Sequence, residues 1–172
     1  IASVRANNIR YEEHDNWGGH ISEFVKTGPA VGIPLTLPVR EQNELLIKAN
    51  PDMLTIHSGV LNNLCSIWER EGYKLNLKHI KNVGETLHPD LRLRVKRITG
   101  IDMEDIYSSN EVNCISLECP GTGLQHVMAE TLIVEVLNDQ GEQCQEGEVG
   151  RVVVTDFYNT MNPLIRYYIG DY

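Results

Sequence analysis

The sequence predicts an α/β chain: a parallel sheet with flanking helices, followed by a β-rich antiparallel portion. Two observations carry the first half. Between Arg40 and Tyr107, short apolar runs alternate with stretches whose apolar residues recur at helical spacing. The links between them are short, which implies right-handed crossovers and a parallel sheet. The third observation is a change of rhythm after Glu111, where apolar and polar residues begin to alternate and Asn138-Asp139-Gln140-Gly141 supplies a hairpin signal. The expected division is residues 1–112 and 113–172.

Residues 1–38 are dominated by turn signals, Gly18-Gly19, Gly28-Pro29 and Gly32-Ile33-Pro34. Loops are expected there, with a short helix near His20–Lys26 and a strand near Val31–Leu37. Arg40–Asn50 reads as a helix with a Leu45, Leu46, Ile47 stripe, ended by Asn50-Pro51. Met53–His57 suits a buried strand. Ser58 is the expected cap of a helix over Gly59–Glu71, whose Val60, Leu61, Leu64, Ile67 and Trp68 share a face, and Gly72 stops it. Leu77–Val83 reads as a strand, His88-Pro89 opens a helix closed by Gly100, and Met103–Tyr107 reads as a third strand. In the second half, Cys114–Glu118, Gln125–Met128, Leu132–Leu137 and Arg151–Asp156 read as strands.

Composition narrows the function. The net charge of the 172 residues is −9, which argues against nucleic acid, since that partner asks for a basic face. The one basic cluster, Arg92, Arg94, Lys96 and Arg97, reads as a solvated helix face. No apolar run approaches the ~20 residues of a membrane span, and no signal peptide opens the chain. It begins at Ile1, as a piece of a longer protein would. Four cysteines without a C-x-x-C pair fit a reduced, cytoplasmic chain.

Two motifs carry chemistry: Asp105–Glu111, DIYSSNE, and Pro163–Tyr172, PLIRYYIGDY. Together they offer an aromatic, hydroxyl and amide groups and carboxylates, a set that suits a magnesium nucleotide. A ribose diol asks for a carboxylate acceptor, an adenine for a flat apolar face, and magnesium for oxygen ligands. Tyr107 ends a predicted parallel strand, the edge at which open α/β sheets bind ligands. Cys119 and His126 are of zinc-ligand type, but two candidates do not make a four-ligand signature. The serines Ser58, Ser108 and Ser109 lack a nucleophile-elbow context, and Gly121-Thr122-Gly123-Leu124 is not followed by a clear helix, as a phosphate loop would be.

From about Lys78 to Tyr172 the sequence resembles the acyl-adenylate-forming (AMP-binding) ligases, in particular their phenylacetate–CoA ligase-like branch. The blocks that carry the resemblance are Val83–Leu87 (VGETL), DIYSSNE, and Gly147–Tyr172. It implies that residues 1–112 are the nucleotide-binding portion and that residues 113–172 end at the hinge to a further C-terminal domain. It implies that Gly84, Glu85 and Thr86 border one adenine face and Tyr107 packs on the base. Asp105 would accept from the adenine amino group, Ser108 lies where the backbone approaches the nucleotide closely, the Asn110 amide can donate to a phosphate, Glu111 helps hold magnesium as the catalytic carboxylate, and Asp171 accepts from the ribose hydroxyls. Thr86, Ser108 and Asn110 depart from the frequent Pro, Gly and Thr or Ser of the family.

The implied reaction joins a small carboxylic acid to ATP as an acyl-adenylate and passes the acyl group to CoA. The family's phosphate loop and distal lysine are not found in this sequence, so the chain by itself is expected to be an inactive fragment. The alternative is a non-catalytic nucleotide-binding or scaffold module that keeps the fold.

Overall fold

Alternate burial builds the first strand, β1 (Ala2–Arg5): Ala2 and Val4 are fully buried while Ser3 and Arg5 are half-buried. The computed structural model describes residues 1–18, 21–119 and 122–172. The chain divides into two units, Ile1–Asp105 and Ile106–Tyr172.

In the first unit β1 is followed by β2 (Glu12–His14), a one-turn helix α1 (Ile21–Phe24) and β3 (Ala30–Pro34). Next come α2 (Val39–Ala49), β4 (Met53–Ile56), α3 (Ser58–Glu71), β5 (His79–Val83), α4 (Pro89–Thr99) and the start of β6 (Met103–Ser109). The strand order is β2-β3-β1-β4-β5, with β6 as the next neighbour of β5. β1 pairs in parallel with both β3 and β4, β4 pairs in parallel with β5, and β2 runs antiparallel at the edge. The expected parallel sheet is therefore present, but β1 within it was expected to be loop. Its four residues carry two apolar side chains, too short a signal to separate from the turns that follow. The expected helix near residues 20–26 is α1; His20 and Gly19 lie outside the described residues.

The helices follow their periodicity. Leu46 of α2, Leu61, Leu64 and Trp68 of α3, and Leu91 and Val95 of α4 pack on Val4, Ile33, Leu54, Ile56 and Ile80 of the strands. Trp68 donates its indole N–H to Asn43 Oδ1 at 2.8 Å, so the one polar atom of the ring is satisfied inside the core. Asn50 and Gly100 end α2 and α4 in the left-handed conformation, each donating its backbone N–H to the residue four back. The cap at α3 differs from expectation: His57 is the N-cap residue and Ser58 lies inside the first turn. The basic cluster of α4 is largely neutralised by its neighbours. Arg94 and Arg97 share Glu69 of α3 at 2.6 and 3.0 Å, and Lys96 meets Asp102 at 2.8 Å.

In the second unit β6 continues antiparallel to β7 (Asn113–Glu118), which pairs with β8 (Gln125–Val127). A second sheet has the order β11-β10-β9, from β9 (Leu132–Leu137), β10 (Arg151–Asp156) and β11 (Tyr167–Tyr168). Val112, Ile115, Leu132 and Val154 form its core, with Tyr107, Val134, Val152, Leu164 and Ile169 packed around them. The Asn138 side chain accepts from the N–H groups of Gln140 and Glu142, which closes the expected turn. Among the described residues, no helix is long and apolar enough to cross a membrane.

Candidate functional site

In the first unit the loop after β5 is held from two sides. Gly84 has φ +73°, and a Cβ there would lie 2.8 Å from Cε1 of His57, so the position requires glycine both for conformation and for the close approach of that ring. Glu85 turns its carboxylate away from the loop toward α3. Its Oε2 accepts from the Gly59 N–H at 2.7 Å and from the Ser58 hydroxyl at 2.9 Å, and His57 Nδ1 stands 4.0 Å from Oε1. These donors supply what His57, an N-cap without a side-chain cap bond, does not. The Gly59 N–H, the Ser58 hydroxyl and His57 hold the Glu85 carboxyl below its ordinary range, against the opposing effect of burial. The Glu85 side chain is thus an anchor for the loop, in which residues Gly84, Glu85 and Thr86 are exposed.

Beneath this loop lies a residue that the motifs did not single out. Asn82 is fully buried. Its Nδ2 donates to the Glu85 carbonyl at 2.5 Å and to Asp105 Oδ1 at 2.7 Å. One amide therefore ties two separately expected site segments together. The signal was present but indirect: Asn82 occupies the alternate position to Ile80 in a strand, where an apolar residue would ordinarily face the core.

In the second unit the two motifs meet directly. The Tyr107 hydroxyl donates to Asp171 Oδ2 at 2.7 Å, across 64 residues of sequence. Burial first, and then the Asp171 carboxylate, push the Tyr107 phenol well above its ordinary pKa. Asp171 follows Gly170, which adopts φ +96°, and its own carbonyl accepts from the Val152 N–H at 2.9 Å. Arg166 makes a two-pronged pair with Glu135 at 3.1 and 3.1 Å, a local role. A β-bulge follows Tyr107, between it and Ser108. Ser108 is half-buried in β6, while Asn110 and Glu111 stand exposed in the turn between β6 and β7. Among the described residues no hydrogen bond or ion pair engages the Glu111 carboxylate.

Cys119 and His126 flank the turn after β7, where the Cys119 N–H donates to the Leu124 carbonyl at 2.8 Å. Among the described residues no group of three or more metal-ligating side chains exists, so a zinc site on these two lacks further ligands there. Pro120 and Gly121 of the same segment lie outside the described residues.

No family model matches the chain. A phenylacetate–coenzyme A ligase of Thermus thermophilus is 25% identical over 147 residues, 81% of this chain and 33% of the relative. Among solved structures, an open conformation of 2-hydroxyisobutyryl-CoA ligase in complex with 2-HIB-AMP and CoA has a TM-score of 0.68. Its identity is 18%, over 81% of this chain and 35% of that one. A benzoate CoA ligase from Burkholderia xenovorans has a TM-score of 0.64 at 16% identity, over 83% of this chain and 33% of that one. The anthranilate CoA ligase AuaEII in complex with anthranoyl-AMP has a TM-score of 0.63 at 18% identity, over 76% of this chain and 27% of that one. The chain has the fold of part of these CoA ligases, and its sequence resembles the phenylacetate enzyme, as the motif blocks imply. It spans about a third of the length of the relatives it matches first.

Proposed function

We propose that this chain is part of an acid–CoA ligase-like enzyme. The whole protein activates a small carboxylic acid with ATP, releases pyrophosphate, and transfers the acyl group from the adenylate to the thiol of CoA. The observation that carries the reading is the 2.7 Å hydrogen bond between Tyr107 and Asp171, one from each of the two motifs that suit a nucleotide. The ligase folds that this chain shares, some of them holding acyl-AMP adducts, support it.

In this reading the Tyr107 ring offers an apolar face to adenine. Its hydroxyl fixes Asp171, whose remaining lone pairs accept from the ribose diol. In the first unit, the backbone of the exposed residues Gly84–Thr86 borders the base and Asp105 accepts from its amino group. The Asn110 amide and the Ser108 hydroxyl donate to phosphate oxygens. Glu111 is an exposed carboxylate with no hydrogen bond or ion pair among the described residues, and an oxygen donor of this kind fits magnesium, which keeps several waters. When bound, the ion offsets charge on the phosphates. The rate gain from this part of the enzyme is positional: base, sugar and phosphate held in one orientation. A cytoplasmic setting is consistent with four cysteines that form no disulfide.

The test is pyrophosphate release by the full-length protein with ATP and a panel of aryl and fatty acids, before and after Asp171→Ala. Loss of a charge-assisted hydrogen bond to ribose lowers kcat/KM for ATP on the order of tenfold or more. Unchanged ATP kinetics in the variant overturn the assignment. ATP binding without acid-dependent pyrophosphate release instead identifies a non-catalytic nucleotide module.

A further inference from the structure

Asn82 is a fully buried polar residue of the first unit that the motifs leave unexplained. It sits on β5 opposite Ile56 of β4, at full burial, where valine or leucine would extend the core without polar cost. Both hydrogens of its amide are committed, one to the Glu85 carbonyl and one to Asp105 Oδ1. That pair of acceptors fixes the amide's orientation, because the flipped amide would set its oxygen against two oxygens. The Asn82 Oδ1 in turn has no partner among the described residues. A buried amide that satisfies two acceptors while leaving its own oxygen unpaired is a poor device for stability alone. It does fix the geometry between its two acceptors.

The two acceptors matter because of where they lie. The Glu85 carbonyl belongs to the loop that presents the backbone of Gly84–Thr86, and the other side of that loop is pinned by the Glu85 carboxylate on the first turn of α3. Asp105 is the residue read as facing the adenine amino group. We propose that Asn82 is a positioning residue for base selection: its amide sets the Asp105 carboxylate and the 84–86 backbone in one geometry, and so selects a 6-amino purine over a 6-oxo purine. The inference rests on the acyl-adenylate reading above. Asn82 does not touch the base; it acts through Asp105 and the loop. A site preset to pair with an N–H group rejects an analogue lacking it far more strongly than apolar fit alone can.

The experiment uses the full-length protein and compares kcat/KM for ATP and for inosine triphosphate in acid-dependent pyrophosphate release. Wild type, Asn82→Ala, Asn82→Ser, Asp105→Ala and the Asn82→Ala/Asp105→Ala double variant are measured together. The expected result is a preference for ATP in wild type that falls about tenfold in Asn82→Ala. A fall of the same size is expected in Asp105→Ala, with no further fall in the double variant, because both act on one contact. Asn82→Ser, which keeps a donor and removes less volume, retains part of the preference and serves if the alanine variant does not fold. A purely structural Asn82 lowers thermal stability and both activities in parallel while the ATP-to-inosine ratio stays fixed, and that result overturns the proposal. If wild type shows no ATP-dependent release, the underlying reading fails. If wild type is ATP-dependent and the ratio survives in the Asn82 variants, only the positioning role fails.

Discussion

Removing the Glu85 carboxylate isolates the anchor of the 84–86 loop, and the effect is readable in the folded chain without turnover. The first turn of α3 has N–H groups with no intrahelical partner, and its N-cap residue His57 supplies no side-chain bond. Glu85 fills that role from 26 residues downstream, through the Gly59 N–H at 2.7 Å and the Ser58 hydroxyl at 2.9 Å. Loss of a cap costs about 0.5–2 kcal/mol, and a carboxylate beside a helix N-terminus adds about 0.3–1 kcal/mol at a surface site. The Glu85 side chain is 46% exposed, so solvent screens the charge and the lower ends of these ranges apply. Glu85→Ala should therefore cost about 0.8 kcal/mol, and Glu85→Gln, which keeps an acceptor oxygen but no charge, about 0.3 kcal/mol.

The pH dependence has a definite sign. The folded state holds the Glu85 carboxyl below its ordinary range, so the native state binds fewer protons than the unfolded one. Its contribution is fully present above the ordinary glutamate value, about 4.3, and is lost as pH falls through the lower folded value. Urea unfolding followed by the fluorescence of Trp68, buried on α3, gives the stability, and amide exchange at Gly59 gives the local effect. The wild-type advantage over Glu85→Gln should be full at neutral pH and shrink in acid, with faster Gly59 exchange in both variants. An Ala variant as stable as wild type, or a Gln difference that ignores pH, would refute the cap.

Gly150→Ala should be among the more damaging changes in the second unit: the new Cβ falls 2.4 Å from the Cys144 sulfur and 2.6 Å from the Leu137 carbonyl oxygen. The sulfur can rotate but the carbonyl belongs to β9, so a loss of about 2–3 kcal/mol and a lower Tm are expected in thermal denaturation. Glu111→Gln in the full-length protein should depress magnesium-dependent pyrophosphate release while leaving the unfolding midpoint unchanged, since the residue is exposed and unbonded among the described residues; equal losses of both would mark it as structural. Tyr11, raised to about 12 by burial and by its hydrogen bond to Glu13, should ionise late in an alkaline absorbance titration, and Tyr11→Phe should reduce the amplitude of the late phase without abolishing it, since Tyr107 also ionises late. Because the folded state holds this proton more tightly, its stabilisation is present below the ordinary tyrosine value, about 10, and is lost as pH rises through about 12.

The elements legible in the sequence are those whose information is local. α2, α3 and α4 combine an apolar stripe with a stop signal at Asn50, Gly72 or Gly100, and each ends at that residue. β1 was not legible for the converse reason. Ala2 and Val4 are buried because β3 and β4 flank them, at pairings such as Ala2 with Val31 and Leu54, and nothing in four residues announces partners that distant. The cap of α3 failed in the same way: Ser58 has the right chemistry for an N-cap, but the carboxylate that performs the capping is Glu85, on another loop.

The candidate site divides along the same line. Residue types were legible, since Tyr107, Asp171 and Glu111 stand in motifs whose chemistry suits a nucleotide. Their partnerships were not. The sequence assigns the backbone of Gly84–Thr86 to the nucleotide but gives no task to the Glu85 carboxylate, which is committed to α3. It likewise gives Tyr107 and Asp171 separate tasks, whereas the hydroxyl of one is bound to the carboxylate of the other. That bond has a consequence for how a diol is met. A carboxylate has about four lone-pair positions, so a hydroxyl donor on Oδ2 restricts the side chain without exhausting it. The rotational freedom of Asp171 is spent on folding, and the ligand has less of it left to remove. Glu111, exposed on its turn, has no such restraint among the described residues, so a ligand that it holds must order it. In the proposed reading, the sugar contact at Asp171 is thus preset by the fold, while Glu111 is set only on binding.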